Sequence, residues 1–198
     1  MSETGQARGK SRRESILQAA LDCFTEHGIE GTTIEMIRDK SGASTGSLYH
    51  HFANKEDIAS TLFLDGLHNY SEPLLKGLAA CSDARDGIEI MVTSYIDWVT
   101  ENPDWARFIF SARGRVIRGA AAEALKDNNR KQFMALRDWL QPHIEQGVLQ
   151  PLPLDLYHAL VNGPIQDYCR AWLAGRVRHS PRQHARTFAN AAWRSVAV

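Results

Sequence analysis

Residues 42–55 read GASTGSLYHHFANK, a composition that is unusual for a helix whose only role is packing. A surface helix that only packs against a core has an apolar stripe with charged residues around it. Here Leu48 and Phe52, which stand four residues apart, are the only strong apolar pair, and small hydrogen-bonding residues precede them. The stretch therefore predicts a short helix that is anchored on one side and polar on the other, with Ser44 as its N-cap.

The residues before this stretch complete a helix-turn-helix. The segment TTIEMIRDKSG, residues 32–42, begins with a threonine cap and ends at Gly42 within about two helical turns. Two short helices joined by a glycine-containing turn form a helix-turn-helix, whose second helix presents its N-terminal residues to the major groove of DNA. A preceding helix is predicted from the capping pair Ser11 and Glu14 to Gly28.

The rest of the chain is predicted to be helical as well, because apolar residues recur at helical spacing and no stretch alternates as a strand does. The expected architecture is all-α, with nine helices in two domains. Asn54 caps a long helix that runs towards Pro73, and a helix near residues 154–174 is interrupted by the proline at position 164. The other helices are predicted at 84–101, 102–112, about 125–147 and about 180–196.

The composition excludes several classes of protein. Lysine plus arginine and aspartate plus glutamate number 23 each among 198 residues, so the whole chain offers no bulk charge to nucleic acid or membrane. No window approaches the roughly 18 apolar residues of a membrane span, and the N-terminus has no signal-peptide apolar core, so a cytoplasmic protein is expected. Cys23, Cys81 and Cys169 are scattered singly, which argues against a disulfide framework or a zinc site.

Positive charge is available only locally. Residues 1–60 have seven basic and nine acidic side chains, a net charge of −2. Even so, four basic residues near the N-terminus form a cationic segment without an acid between them, and such side chains can meet phosphates. They are Arg8, Lys10, Arg12 and Arg13. A second basic segment follows Asp167 and has six arginines and no acid, which is consistent with a solvated or dimer-edge face and with an anion site. These arginines are Arg170, Arg176, Arg178, Arg182, Arg186 and Arg194.

The segment ILQAALDCFTEHGIEGTTIEMIRDKSGASTGSLYHHFANKEDI, residues 16–58, resembles the DNA-binding domain of the tetracycline-repressor (TetR) family of transcriptional regulators. GSLYHHFANKEDI is its most specific part. The resemblance implies a homodimer whose last two helices pack as a four-helix bundle, and a ligand pocket in the larger domain. The predicted domains are a flexible basic arm at 1–10, a helix-turn-helix domain at 11–56, and an effector-binding and dimerisation domain at 57–198.

The predicted function is that of a ligand-responsive transcriptional regulator, with repression as the expected direction. It would bind a palindromic operator in duplex DNA as a homodimer and be released by a small, mainly apolar effector. The resemblance places Tyr49, His50 and Lys55 at phosphates, and Thr45, Gly46 and Ser47 near bases. The full set of predicted DNA contacts is Thr33, Arg38, Ser44, Thr45, Gly46, Ser47, Tyr49, His50, His51 and Lys55.

The sequence departs from the family pattern in its second helix and has no family motif beyond residue 75. Arg38 and Ser41 stand where the family usually has small alanines, so either the packing of this helix differs or Arg38 itself reaches DNA. In the larger domain, aromatic and amide residues are the candidate lining of an effector pocket, although aromatic residues at helical spacing are also typical of a plain core. These candidates are Met91, Tyr95, Trp98, Trp105, Phe108, Asn162 and Gln166.

Two alternatives remain open at this stage. One is a constitutive DNA-binding or adaptor dimer that has no ligand. The other is a small helical enzyme that uses Asp97, Glu101 or His158, although no spacing forces these groups into a catalytic geometry. No cofactor is predicted. Nor is a metal site, since adjacent helix positions such as His50 and His51 point about 100° apart.

Overall fold

The computed structural model describes residues 3–116 and 122–198, and within them it is all-α as predicted. The described residues form ten α-helices and a short 3-10 helix, one α-helix more than predicted, because Asn162 separates two helices in the predicted 154–174 segment. The α-helices are α1 (Glu3–Gly31), α2 (Ile34–Ser41), α3 (Thr45–His51), α4 (Lys55–Ala79), α5 (Ala84–Glu101), α6 (Pro103–Val116), α7 (Ala122–Glu145), α8 (Leu154–Val161), α9 (Gly163–Leu173) and α10 (Ala185–Val196), and the 3-10 helix is Pro181–His184.

The bounds of several helices differ from the sequence prediction; α1, for example, ends at Gly31 and not at Gly28. α1 begins at Glu3, so the predicted capping pair at Ser11 is wrong: this serine lies inside the helix, where serine and glutamate are tolerated as well. The helix thus includes residues 3–10 of the predicted arm, whose flexibility stays a prediction. α4 continues past Pro73 to Ala79, at the cost of one backbone hydrogen bond. The side chains of residues 1–10 lie outside the described part of the structure, and with them Arg8 and Lys10.

The chain divides into two compact units. The first contains residues 1–66 and 104–125, and the second contains residues 67–103 and 126–198. In the first unit α1 packs against α2, and the ring of Phe24 on α1 stacks on Phe108 of α6 with ring centroids 5.6 Å apart. The indole of Trp105 on α6 donates to the carbonyl oxygen of Leu62 at 2.9 Å.

The connection between α1 and α2 is fixed by a buried threonine. Gly28 interrupts α1 with φ 72° and ψ 166°, a conformation open to glycine. Thr32 follows with no exposed surface, and its hydroxyl hydrogen is shared between the carbonyl oxygens of Gly28 at 2.8 Å and Cys23 at 3.1 Å. The Thr32 hydroxyl therefore ties the chain that follows α1 to Cys23, before the break, and to Gly28, at the break.

In the second unit α10 packs on α5 and α8, and α9 packs on α8 and α5. The buried side chains of α5 include Ile88, Val92, Ile96 and Val99, which recur at helical spacing on one face. The chain segment after α10 returns to the segment after α7: Gln150 donates from its backbone to Val196 at 2.9 Å and from its side chain to Ala197 at 2.7 Å. These bonds hold α10 at its C-terminal end.

Gly87 on α5 is a position of close packing. A Cβ atom there would overlap the indole ring of Trp139 on α7, whose Nε1 donates to the carbonyl oxygen of Cys81 at 3.0 Å. That hydrogen bond and the contact with the His143 ring, which is tilted by 55° at a centroid distance of 4.6 Å, fix the indole in place. The packing of α7 on α5 therefore requires a residue without a side chain at position 87.

We expect Gly87→Ala to lower the free energy of unfolding by about 1–3 kcal/mol, because the added methyl group overlaps a fixed ring. Gly114→Ala on α6 is the matched control, since a Cβ there meets nothing within 4 Å, and it should leave stability unchanged or raise it by up to about 1 kcal/mol. Urea unfolding followed by circular dichroism measures both. Equal effects of the two substitutions would contradict the packing argument, and Trp139→Leu should relieve the loss in the double variant.

Candidate functional site

The short helix α3 is held at its N-terminus by a side-chain cap, as the sequence predicts. The Ser44 hydroxyl oxygen accepts the backbone N–H of Ser47 at 3.1 Å, and the residues that follow it, Thr45 and Gly46, are exposed. Leu48 and Phe52 are the buried anchors of this helix, with 0% and 3% of their surface exposed. The helix therefore presents its polar N-terminal residues outward.

The turn before α3 is tied to α1. Gly42 ends α2, as predicted, in a left-handed conformation with φ 64° and ψ 18°, and its carbonyl oxygen accepts from Nη1 of Arg12 at 3.2 Å. The Ser15 hydroxyl donates to the carbonyl oxygen of Ser41 at 3.2 Å. Ser41 itself donates to the Arg38 carbonyl at 3.0 Å and accepts the N–H of Ala43 at 3.3 Å. Ser41 thus has a local role in the turn, at a position where the family usually has alanine.

The exposed face of α3 contains the aromatic residues of the segment. Tyr49 is 53% exposed and His50 is exposed, whereas His51 is half-buried between the rings of His50 and Phe52. Above the Phe52 ring lies the guanidinium of Arg13, 5.6 Å from the ring centroid, which also pairs with Asp65 at 3.9 Å. Arg13, a member of the cationic segment near the N-terminus, therefore places a positive charge beside the end of α3.

Lys55 has an intramolecular partner. Its Nζ donates to the carbonyl oxygen of Thr32 at 2.7 Å and to that of Glu30 at 3.4 Å, and the side chain is half-buried. Just before it, Asn54 caps α4 by accepting the N–H of Asp57, and Asp57 accepts the N–H of Ala53 in return. An ammonium group has three hydrogens, so one remains for a phosphate oxygen after both carbonyls are bound.

Helix α2 places the two remaining predicted contacts. Thr33 is its N-cap and accepts the N–H of Met36 at 3.3 Å. The backbone hydrogen bond at Glu35, followed by the Thr33 hydroxyl, lowers the pKa of Glu35, as expected for a carboxylate in the first turn. Arg38 pairs with Asp39 at 2.6 Å and is half-buried. The six DNA-contact candidates on α3 share one short helix, while Thr33, Arg38 and Lys55 lie on α2 and α4 and Ser44 is the cap.

The predicted effector residues fall in both units. Trp105 and Phe108 belong to the first unit and make the α6 contacts described above. The other five belong to the second unit, where Met91, Tyr95 and Trp98 are buried on α5. Asn162 is 6% exposed between α8 and α9, and Gln166 is half-buried. Their contact with an effector stays a prediction.

Trp98 lines a cavity of about 470 Å³ in the second unit. Its Nε1 donates to Oδ1 of Asn69 at 2.9 Å, and its ring lies 5.8 Å from that of Tyr70, measured between centroids. Burial raises the pKa of the Tyr70 phenol, which therefore stays neutral. The lining residues are Asn69, Tyr70, Pro73, Ser94, Asp97, Trp98, Glu101 and Asn102.

Two amide side chains on α7 were not among the functional residues predicted from the sequence. The Nδ2 atom of Asn128 and the Nε2 atom of Gln132 are buried and have no hydrogen-bond partner, and the same is true of Oδ1 of Asn162. Asn128 and Gln132 stand one turn apart, on the helix face that also contains Leu125, Leu136 and Trp139. That 3–4 spacing was the available signal. Buried polar atoms without partners are uncommon and are typical of sites that bind a ligand or water.

Two of the three groups considered for catalysis, Asp97 and Glu101, form ion pairs with an arginine. Nε of Arg182 contacts Asp97 at 3.0 Å, and Nη2 of Arg182 contacts Glu101. The hydrogen bond with Glu101, followed by the one with Asp97, raises the pKa of Arg182. His158 lies on α8, in neither of these ion pairs.

Among the described residues no group of three or more His, Cys, Asp or Glu side chains could hold a metal ion. None of the described helices is long and apolar enough to span a bilayer.

Comparison with known proteins identifies the family. Residues 16–62 match the sequence profile of the bacterial regulatory proteins of the tetR family. The HTH-type transcriptional repressor KstR2 of Mycobacterium tuberculosis is 31% identical over 166 residues, which cover 76% of each chain. The chain belongs to the tetR family. As a TetR-family protein it is a helix-turn-helix DNA-binding protein of transcription regulation.

Solved structures share the fold of this TetR-family chain over nine-tenths of its residues or more. A TetR family transcription regulator from Marinobacter aquaeolei superposes with a TM-score of 0.82 at 21% identity, over 97% of this chain and 98% of the other. FadR of Bacillus subtilis, solved in complex with stearoyl-CoA, has a TM-score of 0.75 at 16% identity, over 90% of this chain and 96% of the other. At these identities the likeness concerns the fold.

Substitutions at Ser44 can distinguish an effect on the stability of α3 from an effect on DNA binding. We expect Ser44→Ala to cost about 1 kcal/mol of stability, because it removes the acceptor for the Ser47 N–H. Ser44→Asp keeps an acceptor and should restore that stability, but its negative charge should weaken DNA binding, because this helix end is predicted to approach the polyanionic duplex. Urea unfolding and fluorescence anisotropy on duplex DNA measure the two properties. An aspartate variant that binds DNA as tightly as the wild type would place Ser44 away from the backbone.

Proposed function

We propose that this TetR-family protein is a ligand-responsive transcriptional repressor of the cytoplasm, and not an enzyme. In this proposal a homodimer binds a palindromic operator, and a small, mainly apolar effector releases it. The observation that supports the DNA-binding half most directly is α3: a capped helix whose apolar side chains are buried and whose N-terminal face has only small polar groups. A helix of this kind suits close approach to a duplex.

The proposed division of labour on DNA follows from size and charge. Thr45, Gly46 and Ser47 are short enough to bring the N-terminus of α3 to base edges in the major groove. Tyr49, His50 and Lys55 lie towards the other end of α3 and at the start of α4, and in the proposal they meet phosphates. Arg12 and Arg13 add positive charge on α1. His51, Thr33 and Arg38 complete the proposed surface.

The proposed homodimer uses the last two long helical segments, α8–α9 and α10. Some small residues there serve the protomer itself, since Ala189 and Ala192 are 5% and 3% exposed where α10 packs on α5 and α8. Other small residues lie outward, since Ala159 and Ala191 are exposed. The bulky side chain of Leu156 is also 41% exposed. A two-fold partner on this face would bury them. Two such protomers would address half-sites roughly 34 Å apart, one turn of DNA.

The sensor half of the proposal is supported by the polar atoms inside the second unit. Asn128, Gln132 and Asn162 each bury an amide atom without a partner, which costs about 1–3 kcal/mol per group unless something binds there. A ligand with a few polar groups on an apolar body would satisfy them, in the way that typical cavities combine apolar walls with a few oriented polar groups. A structural relative, FadR, binds stearoyl-CoA, which has such a body. α4 contributes residues to both units and is the proposed route from effector to DNA.

The DNA contacts can be separated by salt and sequence. Tyr49→Phe and Lys55→Ala should weaken binding on all sequences alike, and Lys55→Ala should reduce the salt slope by about one, since one phosphate contact is lost. Thr45→Ala and Ser47→Ala should instead change which operator is preferred. A panel of operator variants at two salt concentrations, with circular dichroism to verify folding, measures this. A Lys55 variant with altered base preference and an unchanged slope would reverse the assignments.

The buried amides give a test of the sensor. We expect Asn128→Leu and Gln132→Leu to raise stability, by about 1 kcal/mol each, because each removes a polar atom that has no partner. The same variants should lose thermal stabilisation by the effector and its release of operator DNA.

The screen is a metabolite library that includes stearoyl-CoA, read first by thermal shift and then by operator release. Gln141→Leu, at an exposed position of α7, is the control and should respond as the wild type does. If no compound both stabilises the protein and lowers its DNA affinity, the sensor half fails and a constitutive DNA-binding dimer remains.

A further inference from the structure

The cavity beside Trp98 has a charge that an apolar effector alone does not explain. It measures about 470 Å³, within the range of small-molecule sites. Of its eight lining residues, Tyr70, Trp98 and Pro73 supply apolar surface, Asp97 and Glu101 are acidic, and none is basic. The cavity is thus partly aromatic and has a single sign of charge among its lining residues.

The aromatic wall of this cavity is fixed before any ligand arrives. The Trp98 indole donates to Asn69, and the Trp98 carbonyl oxygen accepts from Nδ2 of Asn102 at 3.0 Å. Tyr70 in turn packs edge-on against Tyr95, with ring centroids 5.5 Å apart. Rings held in this way attract a cation to their faces, and tryptophan does so most strongly. The wall therefore suits a ligand that combines apolar surface with positive charge.

The electrostatics of the C-terminal end of α5 point the same way. The free carbonyls at a helix C-terminus have partial negative charge, and α5 has no basic residue in its last turn to offset it. Arg182, from the 3-10 helix, contacts one oxygen of Asp97 and one of Glu101, so the second oxygen of each lies outside these ion pairs. Two carboxylates against one guanidinium leave a formal charge of −1, which disfavours an anion here.

We propose that this cavity binds an organic amine whose protonated nitrogen lies beside Asp97 and Glu101 and whose apolar body lies against the two rings. The nitrogen shares the carboxylates with Arg182. None of the buried amides of Asn128, Gln132 and Asn162 lines this cavity, so it is a second ligand site of the same unit. The inference rests on the proposed sensor function only for the effect of this amine on DNA binding.

The test compares three probes with the same body: 4-phenylbutylamine, 4-phenylbutan-1-ol and 4-phenylbutanoate. Calorimetry at neutral pH should find the amine bound about tenfold more tightly than the alcohol, with the carboxylate weakest. The double variant Asp97→Asn, Glu101→Gln keeps the shape of both side chains and should bind amine and alcohol alike. Equal affinity of the wild type for the amine and either other probe would overturn the proposal.

Arg182→Gln is the decisive companion variant. It releases both carboxylates from their ion pairs, so amine affinity should rise severalfold while alcohol affinity stays the same. If Arg182 only supported the fold, all three probes would weaken together, and that result would overturn the shared site. Spermidine, a cation without an apolar body, should bind more weakly than 4-phenylbutylamine; equal or tighter binding would overturn the role of the rings.

Operator release, measured with the same probes and with the metabolite library, separates this inference from the sensor function. Binding of the amine without any release would leave the cavity assignment standing and would count against the sensor. Release of operator by the amine from the wild type and equally from the double variant at 97 and 101 would confirm a sensor and overturn this cavity as the site through which the amine acts.

Discussion

The hydroxyl of Thr32 is the constraint on which the DNA-binding half of the structure depends. It is fully buried beside the break in α1 and donates to the carbonyl oxygens of Cys23, before the break, and of Gly28, the residue at the break. On its other side the Thr32 carbonyl accepts from Lys55, the first residue of α4. One residue thus fixes the end of α1, the start of α2 and the start of α4. A valine of the same shape would remove both hydrogen bonds of the Thr32 hydroxyl and weaken the connection between α1 and α2.

The arrangement explains why the composition of α3 is compatible with stable folding. A seven-residue helix with two buried apolar side chains would not persist alone. Its stability comes from the cap at Ser44, from the turn that Arg12 and Ser15 hold to α1, and from the burial of Leu48 and Phe52. The outward side chains of α3 take no part in these stabilising interactions. They can therefore vary with the DNA sequence to be recognised without a loss of stability.

The sequence predicted those features that depend on neighbours along the chain. The caps at Thr33, Ser44 and Asn54 and the end of α2 at Gly42 are confirmed, because each depends on residues within three or four positions along the chain. The cap at Ser11 is wrong because the same residue types also occur inside helices. Asn128 and Gln132 were missed because a polar residue at an inward position cannot be told from a surface residue without the rest of the fold. The unit to which Trp105 and Phe108 belong likewise depends on contacts with α1 and α4, which are distant in sequence.

The packing of Trp105 on α4 also has a consequence for the history of the chain. A Cβ at Gly66 would lie 2.5 Å from Nε1 of Trp105 and 2.7 Å from Cδ1 of Ile109, so these α6 side chains fit only where α4 has no side chain. A larger residue at 66 therefore requires a smaller one at 105 first, together with a shift of Ile109. Among orthologues of this chain the two columns should therefore covary, and a lineage that has lost the glycine should have lost the indole first.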